Sequence, residues 1–250
     1  MRLKVTPKVG PRYWAAILVA SMCGTNMGDT IPDVLKVSAL SGLIMLAFMF
    51  ALLMSAERAT SRGSEAFYWI AILVVRAAAT NIADYSIDQA HLTYLNVIAA
   101  LVLLLGGILV LQHRSKSKQI KGALPPACGF YWLTMLLAGS LGTVIGDALG
   151  HSFNSVQMGV PISASIATLA LLLIWIARTR MDWPGATSYW VAVVGVRWWG
   201  TNVGDVLAFL LSLVPSASIT GSALAILLLT WRASPTGSTD LARSSRGQET

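Results

Sequence analysis

Residues 189–205 read YWVAVVGVRWWGTNVGD, and the same frame recurs three more times without a gap. Residues 13–29 read YWAAILVASMCGTNMGD, residues 68–84 read YWIAILVVRAAATNIAD and residues 131–147 read YWLTMLLAGSLGTVIGD. In every copy the Asp follows the Tyr by 16 residues. A recurrence of this kind fixes the architecture before any single segment does. Each copy is followed by a second apolar run, at roughly 34–55, 92–111, 158–177 and 210–231. About 20 apolar residues cross a bilayer as one helix. The expected fold is therefore all-α: a polytopic membrane bundle of eight transmembrane helices, built from four helical hairpins.

Composition agrees. Of the 250 residues 55% are hydrophobic and 12% charged, about half the charged share of roughly 25% in soluble proteins. That excludes a soluble enzyme, a secreted disulfide scaffold and a disordered chain. Eight residues after each Tyr stand Ser21, Arg76, Gly139 and Arg197, so repeats one and three pair off, as do two and four. The expected organisation is an amino-terminal segment 1–11, a first membrane half 12–112, a basic linker 113–129, a second half 130–232 and a disordered tail 233–250. The apolar stretch near the amino terminus is not read as a signal peptide, because its three equivalents are internal.

The net charge of +7 is an orienting signal. Basic residues gather before repeat one (Arg2, Lys4, Lys8, Arg12) and after the second helix of each repeat: Arg58 and Arg62; Arg114, Lys116, Lys118 and Lys121; Arg178 and Arg180; Arg232, Arg243 and Arg246. Lys36 alone stands in the opposite loops. Both termini are thus expected in the cytoplasm, and nucleic acid is not needed to explain the charge.

The motif has two readings. Gly24 and Gly28, Gly142 and Gly146, and Gly200 and Gly204 are four apart, with Ala79 and Ala83 in repeat two; such spacing lets membrane helices approach closely. Thr can bond its own helix, and Tyr-Trp at each start reads as an aromatic belt at the interface. On this view Asp29, Asp84, Asp147 and Asp205 are interfacial residues or helix terminators. The functional reading starts from depth. Sixteen residues place the Asp roughly 24 Å from the Tyr, towards the far side of the membrane. Asp33, Asp88 and His151 follow the motif Asp by four, and Thr25, Thr80, Thr143 and Thr201 precede it by four. That spacing keeps them on one helix face. Four converging stripes of oxygen ligands, with Asn26, Asn81 and Asn202 beside them, would make a hard-cation site.

Arg76 and Arg197 stand about 12 Å from the Tyr level, near mid-membrane, and should face the interior. Either they pair with motif Asp residues or they form a separate inner layer. Cys23 and Cys128 lie at different depths and are not expected to pair. The His positions do not suit a haem, Lys is absent from the spans, and no nucleotide loop or nucleophile elbow is present. No cofactor and no catalytic activity are expected.

These residues resemble a bacterial membrane-protein repeat family catalogued as a domain of unknown function, number 347, over about residues 12–232. The resemblance implies an integral inner-membrane protein and names no activity. Two departures stand out: the Ala pair at Ala79 and Ala83, and Val144 in place of Asn, which reduces what repeat three offers a site. Intramembrane charge and internal duplication are typical of transporters. The expected function is transport of a small cation, with a divalent metal as one candidate and protons as a candidate coupling ion. The alternative is a membrane sensor or assembly protein in which the motif only specifies packing.

Overall fold

Two kinds of helix alternate along the chain, and burial separates them. The computed structural model describes residues 3–61, 63–114, 125, 127–180 and 185–231. They form α1 (Pro11–Asp33), α2 (Ala39–Ala59), α3 (Glu65–Asp84), α4 (Tyr94–Arg114), α5 (Gly129–Gly150), α6 (Val156–Arg180), α7 (Ala186–Leu211) and α8 (Leu213–Thr230), with α3 prolonged by a π turn over Tyr85–Gln89. No strand occurs among the described residues. Most of the basic linker 113–129 and the tail 233–250, with Arg2, Arg62 and Arg232, lies outside the described residues.

Six helices are long and apolar enough to cross a membrane: α2, α3 with its π turn, α4, α5, α6 and α8. Of the α3 and α5 spans 67% and 61% is buried, against 17–22% for α2, α4, α6 and α8. The even helices show bare apolar faces, such as Phe48, Leu103, Trp175 and Leu229, as a lipid-facing helix must. The helices α1 and α7 fall short of that measure. Their polar residues Ser21, Thr25, Asn26, Arg197, Thr201 and Asn202 are buried among helices, so the average understates the outer face.

The four motif helices close into a ring, α1 on α3, α3 on α5, α5 on α7 and α7 on α1. The second helix of each repeat packs chiefly on the motif helix of the next: α2 on α3, α4 on α5, α6 on α7, and α8 back onto α1. The hairpin is thus a chain connection more than a packing unit. α1 and α2 meet sparsely, as where Gly42 faces the Ile31 side chain. α6 and α8 also touch the motif helix of their own repeat, whereas α2 and α4 lie chiefly against that of the next.

Small residues make the ring seams. A Cβ on Gly28 would stand 3.0 Å from the Ala77 carbonyl of α3. One on Gly142 would stand 2.7 Å from the Trp198 amide nitrogen of α7, and one on Gly204 would meet the Met22 carbonyl of α1 at 3.3 Å. Each Gly pair therefore receives the backbone of the next motif helix. The α3–α5 seam uses other residues, with Gly139 against the Ala79 methyl and Ser140 Oγ donating to the Ala79 carbonyl at 3.1 Å.

Gly200→Leu should push α7 off the Ser21 backbone of α1, whereas Ala225 faces outward on α8. Overpacking typically costs about 1–3 kcal/mol. The expected outcome is a clear fall in melting temperature, read by fluorescence-detected gel filtration, for Gly200→Leu and none for Ala225→Leu.

Candidate functional site

Equal register in four ring helices places equivalent residues at equal depth, so the axis can be described in layers. At one end stand Tyr13, Tyr68, Tyr131 and Tyr189, all buried. Their hydroxyls close a ring: 3.1 Å from Tyr13 to Tyr68, 2.6 Å from Tyr68 to Tyr131, 3.3 Å from Tyr131 to Tyr189 and 2.5 Å back to Tyr13. Trp69, Trp132 and Trp190 are buried around it, their rings against the tyrosines. The tyrosines and these three tryptophans are therefore not an interfacial belt. A buried phenol needs a partner, and the repeat supplies one in each neighbour. The signal was present in the sequence: an identical residue at one register of four ring helices can meet its copies.

Eight residues on, the layer alternates Ser21, Arg76, Gly139 and Arg197. The two arginines share a level and point opposite ways. Arg76 reaches towards the Asp end. Its Nη1 donates to Thr80 and Thr143 at 2.8 Å each, its Nη2 to Thr25 at 2.5 Å and Thr201 at 2.7 Å, and its Nε to Ser21 at 3.3 Å. One guanidinium thus contacts the motif Thr of all four repeats. The Thr hydroxyls are turned for this by their own helices. Each donates to the carbonyl four residues back: Thr25 to Ser21 at 2.9 Å, Thr80 to Arg76 at 3.4 Å, Thr143 to Gly139 at 3.2 Å and Thr201 to Arg197 at 3.0 Å. With the hydrogen spent, the oxygen faces the axis as an acceptor.

The threonines therefore answer an internal cation. Neither Arg76 nor Arg197 has a carboxylate within 4.0 Å; the ion pair among the described residues is Arg12–Glu65 at 2.6 Å. The arginines form a layer separate from the motif Asp residues.

The Asn residues serve the helix seams. Asn26 donates to Ser216 Oγ of α8 at 2.5 Å, Asn81 to the Gly28 carbonyl of α1 at 3.1 Å, and Asn202 to its own helix at Trp198. All three side-chain oxygens are buried without a partner. Asn81 also lines a cleft, while its oxygen faces Gly42 of α2.

Asp29, Asp84, Asp147 and Asp205 are half-buried beyond the threonines. They act on one another electrostatically, Asp29 with Asp147, Asp84 with Asp29, and Asp205 with both Asp29 and Asp147. The cleft, of about 270 Å³, is lined by Asp29, Asp33, Asp84, Asp88 and Asn81, with Pro32, Ala39 and Gln89. It lies between repeats one and two. Asp147 and Asp205 are not among its walls. Among the described residues no three His, Cys, Asp or Glu side chains come together as a metal-binding group. Sequence reasoning placed Asp33 and Asp88 on the right face; the missing information was which pair of repeats would open.

Residues 67–118 match the family described as Repeat of Unknown Function (DUF347). The matched stretch runs from α3 through α4, one motif helix and its successor. No curated protein and no solved structure matches the chain.

Removing one phenol from the ring leaves one hydroxyl without its acceptor and another without its donor. An orphaned buried group costs about 1–3 kcal/mol. Tyr68→Phe should lower thermal stability accordingly, while Tyr85→Phe, an exposed tyrosine, should leave it unchanged.

Proposed function

We propose that this member of the DUF347 repeat family is a multi-pass membrane carrier of a small, partly hydrated cation, and not a catalyst. The cation would enter the cleft of Asp29, Asp33, Asp84, Asp88 and Asn81. The observation that carries this reading is the gathering of four carboxylates, with Asn81, around one cleft. A carbonyl oxygen and carboxylates are the ligand set of hard cations, and gathered acids also concentrate cations at an opening. The substrate class is a divalent metal, which carboxylates hold through water when they do not close around it. Protons are the natural exchange partner, because a carboxylate that gives up a cation can take up a proton.

Arg76 is the gate in this reading. Its charge sits beneath the acidic cleft and occupies the layer of threonine hydroxyls contributed by all four repeats. A cation moving along the axis must displace the guanidinium from the threonines. Arg76 also supplies balancing charge to the acids when no cation is bound. The cleft faces outward if the basic loops are cytoplasmic. Reporter fusions after Lys36, within residues 151–157 and at the carboxyl end test that orientation: the first two should read exterior and the last interior, and an exterior carboxyl end would overturn it.

The competing reading is a packing protein, favoured by the fully engaged contacts between Arg76 and the threonines. Flux decides between them. In proteoliposomes loaded with a metal-sensitive dye, Mn²⁺, Mg²⁺ and Ca²⁺ should be tried in turn. Wild type should move at least one, and Asp29→Asn or Asp84→Asn should cut the rate at least tenfold while leaving the melting temperature near wild type. Asp147→Asn and Asp205→Asn, outside the cleft, should cost less, as should Thr25→Ala, which removes a neutral oxygen. Equal flux in wild type and the cleft variants, or none in either, would favour the packing reading.

A further inference from the structure

Arg76 and Arg197 leave one level of the ring in opposite directions, and each faces a layer of four hydroxyls, one from every repeat. For Arg76 that layer is the threonines, which it meets by direct hydrogen bonds. For Arg197 it is the phenols. Arg197 Nη2 donates to the Met135 sulfur at 3.2 Å. Met135 stands four residues, about one helical turn, after Tyr131. The guanidinium thus lies on the tyrosine side of its own backbone, the way helical side chains lean by default. Its charge acts on Tyr13, Tyr68, Tyr131 and Tyr189 together. No carboxylate lies within 4.0 Å of it among the described residues, and Nε and Nη1 are buried without a hydrogen-bond partner. The phenol ring is what answers this charge.

The closed ring suits a cation beside it. Its hydroxyls meet at 2.5 to 3.3 Å, so each hydrogen turns sideways to a neighbouring oxygen. Every oxygen keeps a lone pair free of that circuit. Four such oxygens gather negative dipole ends at one point of the axis. Were the phenols to part, the hydroxyls would lose their partners and the buried charge would lose the dipoles that offset its desolvation. The ring also seals that end, since hydroxyls in hydrogen-bond contact, backed by Trp69, Trp132 and Trp190, leave no passage between them. We propose that Arg197 is the positioning residue of a second gate, at the tyrosine end of the axis, where its charge holds the four phenols in the closed ring. Arg76 over the threonines and Arg197 under the phenols are then two gates in series. The purpose of this gate rests on the carrier reading; its closure does not.

The test is access to the axis just inside the phenols. In full-length protein carrying Cys23→Ser and Cys128→Ser, Ile72→Cys places one thiol four residues after Tyr68, at the register of Met135 and completely buried. Iodoacetamide is small and uncharged, so its reaction reports access without responding to the charge at 197. In detergent this thiol should be protected. Arg197→Met, which fits beside Met135, should be labelled about tenfold faster while still folded by melting temperature, because labelling follows opening of the ring. Arg197→Lys restores the charge and should recover most of the protection. Tyr68→Phe removes one oxygen and keeps the packing of the ring; it too should speed labelling, whereas Tyr85→Phe should not. Unchanged protection in folded Arg197→Met overturns the proposal, and so does Arg197→Lys labelled as fast as Arg197→Met. If Arg197→Met does not fold, Tyr68→Phe decides: faster labelling supports the gate and unchanged protection overturns it. Labelling needs no substrate. A charge-dependent seal without metal flux would sink the carrier reading alone, and flux with a thiol indifferent to Arg197 would sink the gate alone.

Discussion

A guanidinium held by four threonine hydroxyls, one from each repeat, is the contact on which the centre of this protein depends. No other side chain among the described residues bonds to all four motif helices. It works because each threonine has already spent its hydrogen on its own helix, leaving four oxygens turned towards the axis. A site of four neutral acceptors is suited to a cation, and the protein supplies one. The requirement propagates outward. The hydroxyls converge only if the motif helices approach closely, and that approach needs the Gly pairs at the seams. Close approach in turn presents the four phenols to one another at the other end.

Duplication gives four equal helices, and the arginines then make them unequal. Gly24 and Gly142 leave room for the stems of Arg76 and Arg197, which a Cβ at either glycine would meet. Four arginines in one layer would repel, and none would leave the threonines without a partner. Two, sent in opposite directions, divide the axis into an outer polar layer and an inner apolar one. The acids add a further asymmetry. Asp33 and Asp88 extend the stripes of repeats one and two, where the cleft forms, whereas repeat three carries His151 in that slot and repeat four none. An axis that is nearly fourfold in backbone is thus twofold in charge and one-sided in its opening.

Much of this was legible in the sequence. The repeat, the eight helices and the burial of Arg76 and Arg197 follow from register and helical rise alone; whether the arginines pair with the motif Asp residues does not. What was not legible depends on azimuth and on side-chain direction. The tyrosines read as an interfacial belt because a phenol at a helix start is usually there; only the ring closure turns them inward. The threonines read as ligands for a foreign cation because an arginine four residues earlier on one helix leans by default the other way, as Arg197 does. Arg76 reverses that lean to reach Thr80 and its three equivalents. The exchange of partners among repeats, with α2 on α3 and α8 on α1, also lies beyond any pattern within one hairpin.

The central contact is open to a double-mutant cycle between Arg76→Met and Thr201→Val, read as unfolding free energy in detergent. Residues in direct contact couple by about 0.5–3 kcal/mol, whereas independent sites add. The account predicts that Thr201→Val is costly beside Arg76, which loses an acceptor for its charge, and nearly neutral once Arg76 is Met. If the two losses simply add, Arg76 does not hold the threonines together, and the centre of the ring is organised by something else.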